Sequence, residues 1–316
     1  MRPTTMIGTL ACAAMVGMMS AAPAQTALKV IVFPGLSNFS IYAAQHKNLF
    51  AKHHLAIELI YTPNSTVLRE GLAKGDYQIA HAGVDNSVAM VELAKADAII
   101  VAGGDNGFNH IFVQPEINAY TDLRGTLLLC KVLKDNGLNK SDYVIKPVGA
   151  TIARLEAMTK DKANAAAGVL NPPFTFLARD AGLKDMGATA KAIGAYQSDG
   201  VVVMRDWARA NSDTLVRYLS ALIEGRRWAL DPANKEQAIA LLAERLKLTP
   251  QIAAQAYAVA TDPVEGMAKD AQLDMAGFRN VLKLRAEIED QWGGNAPPPD
   301  KYLDLSYYER ALSAIR

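Results

Sequence analysis

Short apolar runs, each closed by a turn signal and followed by a longer amphipathic stretch, recur along this chain, and that alternation limits the folds open to it. Leu28 to Phe33 is such a run; Pro34 and Gly35 turn the chain, and Ser37 or Asn38 can cap a helix reaching about Lys52. Leu55 to Tyr61 reads as a second strand whose weak polarity alternation suits a strand covered on both faces. Pro63-Asn64-Ser65 opens a second helix, which stops at Lys74-Gly75 because glycine accepts the left-handed conformation there. Gln78 to His81 and Ala98 to Ala102 follow as strands, Gly103-Gly104 breaks the latter, and His110 to Val113 reads as a crossing strand. Strand and helix in this order specify an α/β architecture with helices on both faces of a largely parallel sheet.

Thr121 to Gly125 marks the start of a second lobe. In it, Thr126 to Asn136 reads as a helix ended by Gly137, Asp142 to Lys146 as a strand, Thr151 to Asp161 as a helix and Ala165 to Leu170 as a buried strand. Asn171-Pro172-Pro173 ends that strand, and Pro173 suits the first turn of a following helix, where its missing N–H is not needed. Val201 to Met204 returns the chain to the first lobe. Asp213 to Leu230, Lys235 to Leu246, Pro250 to Ala260 and Met275 to Trp292 are amphipathic helices, with Leu215, Leu219, Leu222 and Ile223 spaced to cover a core. Gly293 to Pro299 is a loop, and Leu305 to Ile315 a last helix. The expected division is 1–24 as a leader, 25–110 as the first lobe, 111–203 as the second, and 204–316 as the return to the first with the C-terminal helices.

The leader is a secretory signal peptide. Met1 and Arg2 precede an apolar stretch from about Met6 to Met19, and Ala22-Pro23-Ala24 offers small residues for cleavage before Gln25. The apolar stretch is shorter than the roughly 20 residues that span a bilayer. Removing the leader takes Arg2 from the 33 basic residues and none of the 32 acidic ones, so the exported chain is formally neutral. A neutral chain without a Lys/Arg run offers no electrostatic footprint for nucleic acid. Cys12 leaves with the leader; it precedes most of the apolar region, which argues against a lipoprotein site. Cys130 then remains alone in a hydrophobic run, so no intramolecular disulfide is expected and the thiol reads as buried and structural.

Catalysis would require a nucleophile with its base, paired carboxylates or clustered metal ligands. The five histidines, His46, His53, His54, His81 and His110, show no metal spacing. No Gly-x-Ser-x-Gly elbow occurs, and Gly103 to Gly107 runs into Phe108 and a strand, not into a helix bearing a P-loop lysine. No catalytic residue, metal or cofactor is therefore assigned. What does recur is a strand that ends in small or polar residues before a helix N-terminus, the place where wound sheets bind ligands through free N–H groups and the helix dipole. The series is Ser37-Asn38-Phe39, Asn64-Ser65 and His81-Ala82-Gly83, with Tyr42 one turn into the first helix. Each polar residue can equally serve as a plain N-cap; Asp85 and Asp105 are within reach of the same region, although each is more often a cap or turn residue.

Leu28 through Gly83, Gly103 through Asn109, Asp122-Leu123-Arg124-Gly125 and Leu170 through Phe174 together resemble periplasmic solute-binding proteins of ABC importers. The group is the nitrate, sulfonate and taurine type, which includes thiamine-pyrimidine-synthase-like proteins. The resemblance covers nearly the whole exported chain and implies a two-lobed periplasmic-binding-protein-like fold (type II) with ligand between the lobes. It implies capture of a small polar or anionic solute for an inner-membrane ABC permease by a monomer without enzymatic activity. An enzyme or a ligand sensor of the same fold is the alternative. By position it carries the ligand-facing role to Ser37, Asn38, Phe39, Asn64, Ser65, His81, Ala82, Gly83 and Asn171. One departure concerns Gly125, which passes directly to Thr126, Leu127 and Leu128. Roughly a dozen residues, enough for a strand and its turn, are missing relative to the family pattern. The second lobe is expected to lose a central strand.

Overall fold

The computed structural model describes residues 25–117, 127–142, 144, 148–263 and 265–315. The leader, its cleavage site and the Gly125–Thr126 junction lie outside the described residues. The first run comprises β1 (Thr26–Val32), α1 (Phe39–His46), α2 (Leu49–Lys52), β2 (Leu55–Tyr61), α3 (Ser65–Lys74), β3 (Ile79–Gly83), α4 (Val84–Glu92) and β4 (Ala98–Gly103). Then come β5 (His110–Val113), α5 (Leu127–Asp135), α6 (Thr151–Lys160), β6 (Ala167–Leu170), α7 (Phe174–Asp180), β7 (Lys184–Ala188) and α8 (Thr189–Ile193). The chain closes with β8 (Asp199–Met204), α9 (Arg205–Ala210), α10 (Ser212–Leu230), α11 (Lys235–Leu246), α12 (Pro250–Ala260), α13 (Met275–Glu289) and α14 (Ser306–Ala314).

Two sheets organise these elements. The first has five strands in the order β2-β1-β3-β8-β4; β1 runs parallel to β2 and β3, and β8 runs antiparallel to β3 and β4. The second has three strands, with β5 between β6 and β7 and antiparallel to both. Side chains leave a strand on alternate faces, so Ile31, Ala80, Ile100 and Val202 enter one core with residues of α3, α4 and α13. Val30, Val32, Ile79, Ile99, Val101, Val201 and Val203 enter another, against Leu215, Leu219, Leu222 and Ile223 of α10. Where both faces are covered, as along β3, β4 and β8, a polar residue would be buried on either, and near-continuous apolar runs follow; β2, expected to be covered on both faces, is an edge strand buried only at Leu55. Each such side chain, fully buried, contributes about 1.5–3 kcal/mol.

The sheet order corrects several boundaries. β5 is the middle strand of the second sheet and not a crossing strand; the crossings are the segment between β4 and β5 and the segment between α8 and β8. β8 pairs in the first sheet from Asp199 onward, so the expected lobe boundary at 203 falls inside a strand. Asp142 closes a 3-10 turn, Lys140–Asp142, instead of opening a strand, and most of the expected Asp142–Lys146 element lies outside the described residues. The helix expected to run to Lys52 is broken at Asn48, whose backbone is left-handed at φ 53°. Helices α4, α8 and α9 and strand β7 were not anticipated. In β7 (KDMGA) the burial is only partial throughout most of its length, so it carries no apolar run to announce it.

Candidate functional site

Where the two lobes face each other, the chain encloses a cavity of about 250 Å³. The first lobe supplies Phe33 beyond β1, Ser65 at the start of α3, Gly83 at the end of β3, and Asp85 and Asn86 in the first turn of α4. The second supplies Gly149, Thr151 and Arg154 around the N-terminus of α6, with Val169 and Asn171 at the end of β6. Asn109, Tyr196 and Ser198 come from the crossings, and Asp199 opens β8. Two backbone hydrogen bonds bridge the lobes: Leu36 N–H donates to Pro172 O (3.1 Å) and Ala150 N–H to Pro63 O (3.2 Å). Gly149 sits at the second bridge with φ +96°, and a Cβ there would stand 3.1 Å from Pro63 O. Only glycine tolerates both that backbone angle and that approach.

Of the residues named from sequence, Ser65, Gly83 and Asn171 line this cavity. Asn64 caps α3, its Oδ1 accepting from Val67 N–H at 2.9 Å, beside the bridge at Gly149. Ser37 donates to Asp105 Oδ2 at 2.7 Å below the cavity. The others point elsewhere. Asn38 is buried, and its Nδ2 donates to Phe33 O (2.6 Å), fastening the loop after β1. Phe39 packs edge-on against Tyr257 with ring centroids 6.4 Å apart. The Tyr42 hydroxyl meets Tyr61 at 3.1 Å, and the Arg245 guanidinium lies 4.6 Å from its ring centre. Ala82 belongs to the first core. His81 Nε2 meets the Tyr218 hydroxyl of α10 at 2.8 Å, and burial, reinforced by Arg226, pushes its imidazole down to about 3. The physical reason is shared. A helix N-terminus aims its backbone N–H groups at the cleft, but side chains in the next turn and on alternate strand positions are aimed by period and packing into the cores.

Arg154, Tyr196 and Asp199 were missed; Asp85, read from sequence as a cap or turn residue within reach of the cleft, lines it. The rule that ligands sit beyond the carboxyl ends of strands holds for parallel strands. β8 is antiparallel, with Asp199 opposite Gly83, so its amino end meets the cavity. Asp199 is pushed up to about 8 by burial, then by the neighbouring Asp105, with Asp85 adding to it and Ser37 opposing it. Asp105 is raised as well, by burial, although Ser37 and the Gly107 N–H (3.1 Å) hold it down in part. Arg154 is depressed to about 10 by burial alone. Its Nη1 donates to Val169 O (2.6 Å) and its Nη2 to Thr151 Oγ1 (3.0 Å), while its buried Nε has no partner. Asn171 Oδ1 is likewise buried and unpartnered. A wider groove of about 470 Å³ runs beside edge strand β2, but none of its lining residues carries such an orphaned atom. Buried polar atoms are almost always paired, so orphans gathered in one cavity mark where a ligand's groups belong. Among the described residues, no three His, Cys, Asp or Glu side chains are grouped to hold a metal.

The model of the NMT1/THI5-like family matches residues 37–235. The chain belongs to this family. A protein of Brachyspira hyodysenteriae, assigned as an ABC transporter periplasmic binding protein, is 26% identical over 228 residues, which are 63% of this chain and 64% of the relative. This NMT1/THI5-like chain thus spans about 64% of that curated relative's length. Among solved structures, a protein of Bordetella bronchiseptica superposes with a TM-score of 0.78 at 16% identity, over 92% of this chain and 98% of its own. The periplasmic nitrate-binding protein of Synechocystis superposes with a TM-score of 0.75 at 14% identity, over 92% and 89%. At that identity the likeness concerns the fold: two α/β lobes of the periplasmic-binding-protein type with a helical C-terminal segment.

Proposed function

We propose that this protein is the solute-binding component of an ABC importer, a periplasmic monomer that closes around a small polar or anionic solute and presents it to a membrane permease. The observation that carries this reading is the cavity between lobes that already touch at Leu36–Pro172 and Pro63–Ala150, lined by Arg154 and Asn171, each of which carries a buried polar atom without a partner. Family membership and the assignment of the Brachyspira relative support it. Ser65, Gly83 and Asn171 are the residues named from sequence that this reading keeps at the ligand; Ser37 and Asn64 support the cavity from behind. The lobe before the first crossing is rejoined from Asp199 onward. Calorimetric titration with a library of small polar solutes is expected to yield saturable binding of one solute per chain. Turnover of a bound compound without importer function would favour an enzyme of the same fold.

Export follows from the leader. N-terminal sequencing of protein from the periplasmic fraction is expected to begin at Gln25; full-length chain confined to the cytosol would remove the periplasmic part of the reading.

A further inference from the structure

The two walls of the cavity differ in charge. Asp85 and Asp199 come from the first lobe's side, Asp199 with Asp105 directly behind it. The opposite wall holds Arg154, which pairs with no carboxylate and keeps its Nε free, and α6, whose N-terminus adds positive partial charge. Asp85 and Asp199 make no ion pair across the cavity with that arginine. A simple anion would satisfy the arginine wall and leave the Asp85 carboxylate facing negative charge. A simple cation would do the reverse.

We propose that the cavity is built for an amphoteric solute, with its anionic group against Arg154 and the N-terminus of α6 and its ammonium, or another cationic group, against Asp85 and Asp199. This deepens the solute-binding reading and rests on it. Arg154 and Asp199 are then the specificity-determining residues, and Asn171 Oδ1 accepts a further hydrogen bond from the solute. The two poles explain together why a guanidinium is buried without a counter-ion and why carboxylates are held in the same cavity. The arginine wall desolvates a charge whose partner arrives with the ligand, and Asp199, whose burial beside Asp105 favours its protonated form, releases that proton to solvent when the solute's cationic group comes against it.

The test uses the exported full chain and matched probes of two to six carbons: α- and ω-amino acids, the corresponding simple carboxylates, and the corresponding amines, titrated by calorimetry. At one chain length or more, the amino acid is expected to bind at least ten-fold tighter than both its carboxylate and its amine. Asp199→Asn, which replaces a crowded acid by a neutral isostere and so preserves folding, is expected to erase the preference over the carboxylate. Arg154→Gln is expected to weaken amino acid and carboxylate alike, and Arg154→Lys to restore part of both. If the carboxylates bind as tightly as the amino acids, the cavity takes simple anions: the amphoteric proposal fails and the solute-binding reading stands. If no probe binds and no member of the wider solute library binds either, both fail.

Discussion

Replacing Arg226 by Met is expected to destabilise the protein by about 3–5 kcal/mol, the range for breaking a buried charged network by removing one partner. Arg226 is 1% exposed and lies below the cavity, at the meeting point of α1, α10, the first crossing and the loop before α13. Its Nε donates to Ser40 Oγ (2.8 Å) and its Nη1 to Gly104 O (2.7 Å) and Ala268 O (3.1 Å). It also stands near enough to Asp105 to favour that residue's charged form. Met fills the volume but supplies no donor, leaving the buried Gly104 carbonyl unpaired at about 1–3 kcal/mol before relaxation, while Ala268 O keeps the Ala271 N–H. Against a total stability of about 5–15 kcal/mol, the loss is large. Urea unfolding followed by circular dichroism measures it, and a change below about 1 kcal/mol would show that water enters and replaces the guanidinium. The first crossing tolerates little rearrangement: a Cβ on Gly104 would come 2.7 Å from Asp199 O.

Much of the first sheet was legible because its inner strands and β4 are covered on both faces. Leu28 to Phe33 and Ala98 to Ala102 are nearly unbroken apolar runs, and they became β1 and β4 within a residue or two at each end. The long C-terminal helices were legible for the complementary reason: α10 to α12 cover cores with one face and keep a helical repeat over many residues. What the sequence did not display is which face each short polar cluster serves. Asn38 and His81 look like cleft residues by position, yet one fastens a loop and the other meets α10. The cavity's charges were hidden in the opposite way. Asp199 precedes a run of valines and reads as a strand border, and Arg154 sits in the first half of an ordinary amphipathic helix. Only the antiparallel placement of β8 and the facing of the lobes bring them together.

Two buried titrating groups with opposite linkage are expected to give this protein a stability maximum on the acid side of neutral. His81, held down at about 3 against an ordinary value near 6.5, stays neutral in the folded protein while the unfolded chain takes up a proton. Its contribution is therefore present above about pH 6.5 and is lost as pH falls toward about 3, at up to about 1.4 kcal/mol per unit. Asp199, raised to about 8, keeps its proton when folded while the unfolded chain ionises near 3.9. That contribution is complete below about pH 4 and is lost as pH rises through about 8. Asp199 retains partial exposure to the cavity, so its slope is the shallower one. Between about pH 4 and 6.5 the two slopes oppose each other, and the unfolding midpoint should change little there. Above that window Asp199 and its neighbour Asp105 act, and stability should fall toward pH 8. Asp199→Asn is expected to shrink the alkaline fall to the part that Asp105 contributes and to shift the slope between pH 4 and 6.5 toward a rise. His81→Gln, which can still reach the Tyr218 hydroxyl, is expected to do the reverse and leave a continuous decline from pH 4 to 8. Urea midpoints measured from pH 3.5 to 8 decide the matter. Coincident profiles for wild type and Asp199→Asn above pH 6.5 would mean that Asp199 is already ionised in the folded protein, and that its charge is met by a partner other than the ones around it here.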